Sequence, residues 1–164
     1  FDWVAPLFLE ETPAEKRLRR AACLLGDIGW HEHPDYRAEQ VYFRILRLSL
    51  LALSHAEKTQ IALAVYRRYG GSMNDQALRT AEALLSEDDI VWSRRLGAAL
   101  RMAETLTAGN ATLLEGAKLK LTDETLTLTM KNGNAALVGD VVRMRFGALA
   151  RQFNRMPKFE GKGL

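Results

Sequence analysis

The sequence predicts a mainly α fold, a helical bundle followed by a small C-terminal ββα appendage. Over the first two thirds of the 164-residue chain, apolar residues recur at three- and four-residue spacing, as in an amphipathic helix. After about residue 115 the spacing changes to period two, which is typical of strands. We therefore expect two domains. A helical domain covers 1–112, with 1–12 as its lead-in segment, and a small α+β unit covers 113–164.

The first two helices are delimited by caps and breakers. Thr12-Pro13-Ala14-Glu15 predicts a helix start, because it combines a Thr cap, Pro at the first helical position and Glu three residues after the cap. This helix should run from 13 to about 29, where Gly29 and then Pro34 break the pattern. A second helix is predicted from Asp35 to about Leu53.

Three further helices complete the predicted bundle. Ser54 and Glu57 repeat the capping box and open the third helix, which should end at Gly70-Gly71. Ser86, followed by Asp89, opens the fifth. The fourth and fifth helices should cover 76–85, capped by Asn74 or Asp75, and 88–107, stopping at Gly109-Asn110.

The C-terminal appendage begins with two predicted strands, Ala117–Leu121 and Thr125–Met130, joined by a turn at 122–124. Asn132-Gly133 is a further turn signal, and helical spacing returns over 140–153. The closing residues 158–164 could form a third edge strand or a frayed tail. Because a lone hairpin is only marginally stable, we expect this unit to dock on the bundle.

Composition sets limits on the class of protein. The chain is 48% hydrophobic and 26% charged, and no apolar run reaches the roughly 18 residues that a membrane helix needs. Cys23 is the single cysteine, so no internal disulfide can form and a cytoplasmic location is expected. The start at Phe1, without a secretory signal, predicts a piece of a longer chain. A net charge of +3 permits a polyanionic partner without requiring one.

The stretch "LLGDIGWHEHPDYR", residues 24–37, is similar to the helix-borne metal site of His-Asp (HD) phosphohydrolases. Such enzymes gather an upstream His, a His-Asp doublet and a distant Asp around a divalent ion that activates water. Here no His precedes His31, Gly26 replaces the doublet His, and Glu104 stands where the distant Asp is expected. We predict that no metal binds and that Gly26, Asp27 and Glu104 are vestigial positions. Asp27 should be a buried carboxylate with a hydrogen-bond donor.

Several other side chains allow two interpretations. His31 and His33 lie in a predicted loop, where the H-x-H spacing suits either a metal ligand pair or a polar, hydrogen-bonded turn. His55, just past a cap, should be exposed. Residues that could belong either to the core or to an interface are Val41, Phe43 and Trp92.

Basic residues cluster in two stretches, one on the first helix and one on the last helix and tail. Arg guanidinium groups bind phosphate oxygens bidentately, so two facing stripes could line a polyanion channel. The alternative is a helix face that is simply solvated. The stripes comprise Lys16, Arg17, Arg19 and Arg20, and Arg143, Arg145, Arg151, Arg155 and Lys158. The candidate polyanion-binding residues are Arg17, Arg20, Arg143, Arg145 and Arg151.

Taken together, these motifs resemble the C-terminal region of the Ppx/GppA family of exopolyphosphatases and guanosine pentaphosphate phosphohydrolases. The resemblance extends over about residues 13–155. It is carried by "AACLLGDIGWHEHPDYR", "IALAVYRRYGG", "RRLGAALRMAETLTAG" and the closing ββα segment. Gly70 departs from the pattern, because relatives often carry a His there.

The resemblance implies an HD-like helical domain without catalytic residues, which helps to hold the substrate and to form a homodimer. It implies that N-terminal actin-like lobes of the same protein bind magnesium and hydrolyse terminal phosphoanhydride bonds. The implied substrate is inorganic polyphosphate or guanosine pentaphosphate, and no membrane or nucleic-acid partner is expected. We expect no cofactor in this chain itself.

Two alternatives remain open from the sequence. An autonomous HD-type metal-dependent nucleotide phosphohydrolase would carry a stoichiometric transition metal. A purely structural interaction domain would form dimers and show no affinity for anions. The sequence separates neither polyphosphate from guanosine pentaphosphate as a substrate nor one oligomeric state from another.

Overall fold

The computed structural model describes residues 1–72, 78–131, 134–161 and 163. It is mainly helical, with a three-stranded sheet near the C-terminus, as the sequence predicts. The chain divides into two compact units, a first made of Phe1–Glu10 and Ala98–Leu164 and a second made of Glu11–Gly97. The sequence placed its domain boundary after residue 112 instead. Compactness does not test whether a segment folds by itself, so that boundary stays a prediction, as does the HD-like character of the helices.

The second unit contains the helices α1 to α4 and the start of α5. Capping boxes open α1 at Thr12 and α3 at Ser54, which confirms both predicted starts. The α5 start is confirmed too, because Asp89 N–H donates to the Ser86 hydroxyl over 3.2 Å and the Asp89 carboxylate accepts from Ser86 N–H over 3.0 Å. The bounds are α1 Pro13–Leu25, α2 Arg37–Arg47, α3 His55–Arg68, α4 Arg79–Glu82 and α5 Glu87–Thr107.

Three predicted helix lengths were wrong. The helix α1 ends at Leu25 and not near residue 29, because the backbone continues in tight turns, with Ile28 N–H bonded to the Leu25 carbonyl. The helix α2 stops at Arg47 for the same reason, since Leu48 N–H bonds to the Ile45 carbonyl. Apolar side chains continue past both ends, and this spacing predicted longer helices. The helix α4 is also short, and its suggested caps at 74 and 75 lie outside the described residues.

The helix α3 is the centre of the second unit. All its residues from Thr59 to Arg67 are buried, and it packs against α1 and α2. The sequence left open whether Val41, Phe43 and Trp92 belong to the core or to an interface. Val41 and Trp92 are buried in the core, and Phe43 is half-buried. Burial on all sides explains why α3 shows little amphipathic pattern.

The first unit is built on the sheet. Strand β1, Ala117–Leu121, pairs antiparallel with β2, Thr125–Met130, with the bounds that period-two alternation predicted. Strand β3, Met156–Glu160, pairs in parallel with β2 at the edge of the sheet, so the predicted edge strand is confirmed for residues 158–160 of the closing stretch. The connection from β2 to β3 runs through α6, Asp140–Gln152. The turn signal at 132–133 lies outside the described residues.

Short 3₁₀ helices and the N-terminal segment complete the first unit. Asp2–Leu7 contacts β1, and the indole N–H of Trp3 donates to the Ala117 carbonyl over 3.1 Å. Phe8 packs edge-on against Phe153, with ring centroids 6.2 Å apart. The other 3₁₀ helices are Ala111–Gly116 and Ala135–Leu137. Within the described residues, no helix is both long and apolar enough to cross a membrane.

Candidate polyanion-binding site

The helix α6 carries three of the candidate arginines, but not on one face. Arg143 and Arg145 are two residues apart, which separates their directions by about 200° around a helix. The buried stripe of Val142, Phe146 and Leu149 lies between them. The arginines therefore flank the apolar face of α6 on both sides and do not form a single stripe.

Arg143 and Arg151 are both exposed. The Arg143 guanidinium carbon lies 5.0 Å from the centre of the Phe159 ring on β3, which is a cation–π distance. Arg151 lies in the last turn of α6, where a cation also complements the helix dipole. Both side chains can meet a polyanion at the surface.

Arg145 has a neighbour that the sequence did not reveal, Arg101 on α5. Both side chains are half-buried. Burial lowers the pKa of Arg101, and the positive charge of Arg145 lowers it further. Neither guanidinium has a hydrogen-bond or ion-pair partner among the described residues. Two like charges that are partly withdrawn from water repel each other, and a bound anion would lower their electrostatic free energy.

Sequence reasoning missed Arg101 for a physical reason. Its segment, "LRMAETL", was interpreted through Glu104 as a vestigial metal position. An arginine on a helix is ordinary, and its approach to an arginine more than forty residues later depends on tertiary packing. No local spacing could have identified the pair.

The basic cluster on α1 is smaller than predicted. Arg19 is not part of an exposed stripe, because only 1% of its side chain is accessible and its guanidinium binds the Glu11 carboxylate with two hydrogen bonds, of 2.8 and 2.6 Å. Arg17 is paired with Glu57 and donates to the Ala52 carbonyl over 3.0 Å. Arg20 is exposed and has no partner among the residues described. It is therefore the α1 arginine best placed to accept an anion.

The two groups of candidate arginines belong to different units. Arg17 and Arg20 lie in the second unit, and Arg143, Arg145 and Arg151 lie in the first. A channel between facing stripes stays a prediction.

The Asp27 segment differs from its prediction. The Asp27 side chain is 80% exposed and not buried, because α1 has already ended and the residue lies in the following turn. Its carboxylate accepts a hydrogen bond from Arg68 over 2.5 Å. Gly26 is buried, and its carbonyl accepts from Arg68 over 2.5 Å and from the Tyr69 hydroxyl over 2.7 Å. The segment thus anchors the turn after α1 to the end of α3.

The remaining metal candidates belong to both units. Glu104 is exposed on α5 in the first unit, whereas Asp27 belongs to the second. His31 and His33 are exposed; the His31 ring lies 3.5 Å from the Trp30 ring, and His33 Nδ1 accepts from the Asp35 N–H over 3.3 Å. In the described part of the chain, no three His, Cys, Asp or Glu side chains form a group that could hold a metal ion. His55 is exposed, as predicted.

A cavity of about 350 Å³ in the second unit does not suit a polyanion. It lies between the start of α2 and the end of α3. Its lining includes the carboxylates of Asp35 and Glu39 and no basic side chain among the residues that line it. A phosphate chain would be repelled there.

The family described as exopolyphosphatase, C-terminal, matches residues 3–159. The match covers nearly the whole chain and includes elements of both units. No curated protein gives a significant match.

Proposed function

Because the chain belongs to the family of exopolyphosphatase C-terminal domains, we propose that it holds the polyanionic substrate of an exopolyphosphatase-type hydrolase and contributes no catalytic residue. One observation supports this role above the others: Arg101 and Arg145 are half-buried, the charge of Arg145 lowers the pKa of Arg101, and neither has an ion-pair partner among the described residues. A phosphate chain would supply the missing negative charge.

The proposed substrate is inorganic polyphosphate or guanosine pentaphosphate. Each phosphate of such a molecule offers oxygens that a guanidinium binds bidentately. Arg143 and Arg151, exposed on the same helix as Arg145, would contact neighbouring phosphates of a long chain. Arg20 is a further candidate in the second unit, and Arg17 would first have to leave Glu57.

Hydrolysis itself is assigned to other parts of the enzyme. We propose that N-terminal actin-like lobes of the same protein bind magnesium and cleave the terminal phosphoanhydride bond. The described residues here form no three-ligand cluster that fits magnesium, so we derive no step through the metal. We further propose a cytoplasmic location, HD-like ancestry of the helices and a homodimer. Analytical ultracentrifugation would measure the mass of the homodimer.

Titration of long-chain polyphosphate into the protein tests substrate holding. We expect binding at low ionic strength that weakens as salt rises, because each neutralised phosphate releases a counterion. Replacing Arg101 or Arg145 with Gln should weaken binding about tenfold or more, since each removes charge-assisted hydrogen bonds. The salt slope should fall by about 0.7 to 0.9 for each phosphate that the variant no longer neutralises, by analogy with nucleic acids.

Lys118→Gln is the matched control, because Lys118 is an exposed residue of β1 in the same unit and its loss changes the net charge equally. It should leave the affinity nearly unchanged. No binding of the unaltered protein at low ionic strength would contradict substrate holding and leave a structural or dimerisation role. Equal losses in the control would show that only net charge matters.

A further inference from the structure

A second arginine pair lies inside the second unit. Arg67 on α3 is 91% buried, since 9% of its surface is accessible. Its Nη1 donates to the Gly71 carbonyl over 2.9 Å, but its Nε and Nη2 are buried and have no hydrogen-bond acceptor. Arg94 on α5 also has a buried Nε without an acceptor. Among the described residues, neither arginine has an ion-pair partner.

The surroundings of this pair favour an anion. Burial lowers the pKa of Arg67, and the positive charge of Arg94 lowers it further. Glu82 acts in the opposite direction but forms no ion pair with Arg67 in the described part of the chain. An arginine stays protonated even so, because its ordinary pKa lies far above neutral pH. The pair therefore combines the buried charge of Arg67 and the half-buried charge of Arg94 with three donor nitrogens that lack an acceptor.

Packing fixes the Arg67 side chain in this place. Gly97 of α5 lies against α3, where a Cβ would collide with the Arg67 Cβ and the Ala64 carbonyl. The Tyr66 ring lies 5.5 Å from the Arg67 guanidinium. The Cβ of Arg67 is thus enclosed between α3 and α5. Unsatisfied donors and unpaired charges in such a position strongly destabilise a folded protein.

We propose that Arg67 and Arg94 form a binding site for one phosphoryl oxyanion. The edge of a guanidinium defined by Nε and one Nη matches two oxygens of a tetrahedral phosphate, and Arg94 Nε would donate to a third. The oxyanion would satisfy all three donors and separate the two positive charges. It could be free orthophosphate or a phosphoryl group of a polyphosphate chain, which share this chemistry. The site lies in a different unit from Arg101 and Arg145, so it does not depend on the proposed function.

Thermal unfolding of the whole chain tests the site. The protein would be compared in sodium chloride, orthophosphate and long-chain polyphosphate at equal ionic strength, together with Arg67→Met, Arg94→Met and the control Arg47→Met. Arg47 is an exposed arginine of α2 in the same unit. We expect orthophosphate or polyphosphate to raise the melting temperature of the unaltered protein and the control. Both site variants should bind the anion about tenfold or more weakly.

A second readout separates a site from general screening. In sodium chloride, Arg94→Met should melt no lower than the unaltered protein, because it removes a half-buried charge that repels the buried charge of Arg67. In phosphate the order should reverse. If Arg67→Met does not fold, Arg94→Met carries the comparison by itself.

The ligands identify the source of the oxyanion. Protection by orthophosphate that Arg94→Met abolishes assigns free phosphate, and such protection by polyphosphate alone assigns a chain phosphoryl group. The site is refuted if neither ligand protects the unaltered protein beyond sodium chloride, or if the variants are protected equally. Orthophosphate protection that survives in Arg145→Gln would distinguish this site from the proposed substrate contacts.

Discussion

At the scale of single residues, the pair of Arg19 and Glu11 shows how this protein holds a buried charge. The Arg19 side chain is 1% accessible and that of Glu11 is 11% accessible, and two hydrogen bonds join them in the bidentate geometry. A charge at such depth is tolerated because its counter-charge is buried with it. An arginine that is buried without such a counter-charge is therefore a candidate to bind an anionic ligand.

Glu11→Gln should destabilise the protein by about 3 to 5 kcal/mol, because it leaves the buried guanidinium of Arg19 without its carboxylate. Urea unfolding measures the loss. Glu10→Gln is the matched control, since Glu10 is exposed one residue earlier and its replacement should change stability by less than about 0.5 kcal/mol. Equal effects of the two changes would mean that the ion pair does not stabilise the fold.

Four other arginines contrast with Arg19. In the second unit the charge of Arg94 lowers the pKa of Arg67, and in the first unit the charge of Arg145 lowers that of Arg101. None of the four has an ion-pair partner among the described residues. A folded chain holds such pairs at a cost in free energy. Binding of an anion would recover that cost, which exposed basic residues do not incur.

At the scale of helices, two glycines test close packing. Gly97→Ala should destabilise the protein by about 1 to 3 kcal/mol, because the new methyl group would collide with Arg67 and the backbone of Ala64. Gly147→Ala, also inside a helix, should stabilise it by up to about 1 kcal/mol, since its nearest atom, in Arg151, would lie 3.8 Å away. Urea unfolding of both variants checks the opposite signs, and a stabilising Gly97→Ala would contradict close packing of α5 on α3.

The capping box of α3 should make stability depend on pH in acid. The pKa of Glu57 is below its ordinary value, chiefly because its carboxylate accepts the Ser54 N–H, with Arg17 acting in the same direction. Its contribution is present above the ordinary pKa of glutamate and is lost as pH falls through the lower folded value. Glu57→Gln should therefore lower stability near neutral pH, on the order of 1 kcal/mol, and much less in acid.

Denaturant unfolding at several pH values measures this difference. Glu39→Gln is the control, because Glu39 is exposed on α2 and its side chain has no hydrogen bond among the described residues. A stability difference between the Glu57 variant and the unaltered protein that stays constant from neutral to acid pH would show that the carboxylate charge does not stabilise the cap.

At the scale of the whole molecule, the fold should not depend on a metal ion. Treatment with a chelator should shift the melting temperature by less than about 1 °C, because a structural metal would contribute folding free energy directly. Elemental analysis of the purified protein should find no transition metal in stoichiometric amount. A stoichiometric metal, or a large loss of stability in chelator, would instead favour the HD-type phosphohydrolase alternative.

The sequence predicted those parts of the fold that local interactions determine. Strands β1 and β2 were predicted with their observed bounds, because alternation and the Thr122 turn both lie within a few residues. The capping boxes at Thr12 and Ser54 were predicted for the same reason. The ends of α1 and α2 were predicted wrongly, because the apolar spacing continues through the turns that follow them. Ile28 and Leu50 lie in those turns and are half-buried.

The candidate site was predicted only in part because it depends on tertiary contacts. Arg145 was proposed from its charge, but its neighbour Arg101 comes from another element. Arg19 and Asp27 were assigned the wrong environments, since burial of an arginine and exposure of an aspartate depend on where α1 packs and ends. Charge can be read from a sequence, whereas its desolvation cannot.

The contact of the N-terminal segment with β1 has a consequence for synthesis in the cell. Trp3 and its acceptor Ala117 are 114 residues apart, whereas residues 11–97 form a contiguous unit. At about 5 to 20 residues per second, the ribosome needs on the order of ten seconds to bridge that gap. The contiguous unit can fold first. Val4 and Leu7 stay exposed until β1 has been synthesised and can pack against their segment. That interval is when the nascent chain most needs a chaperone.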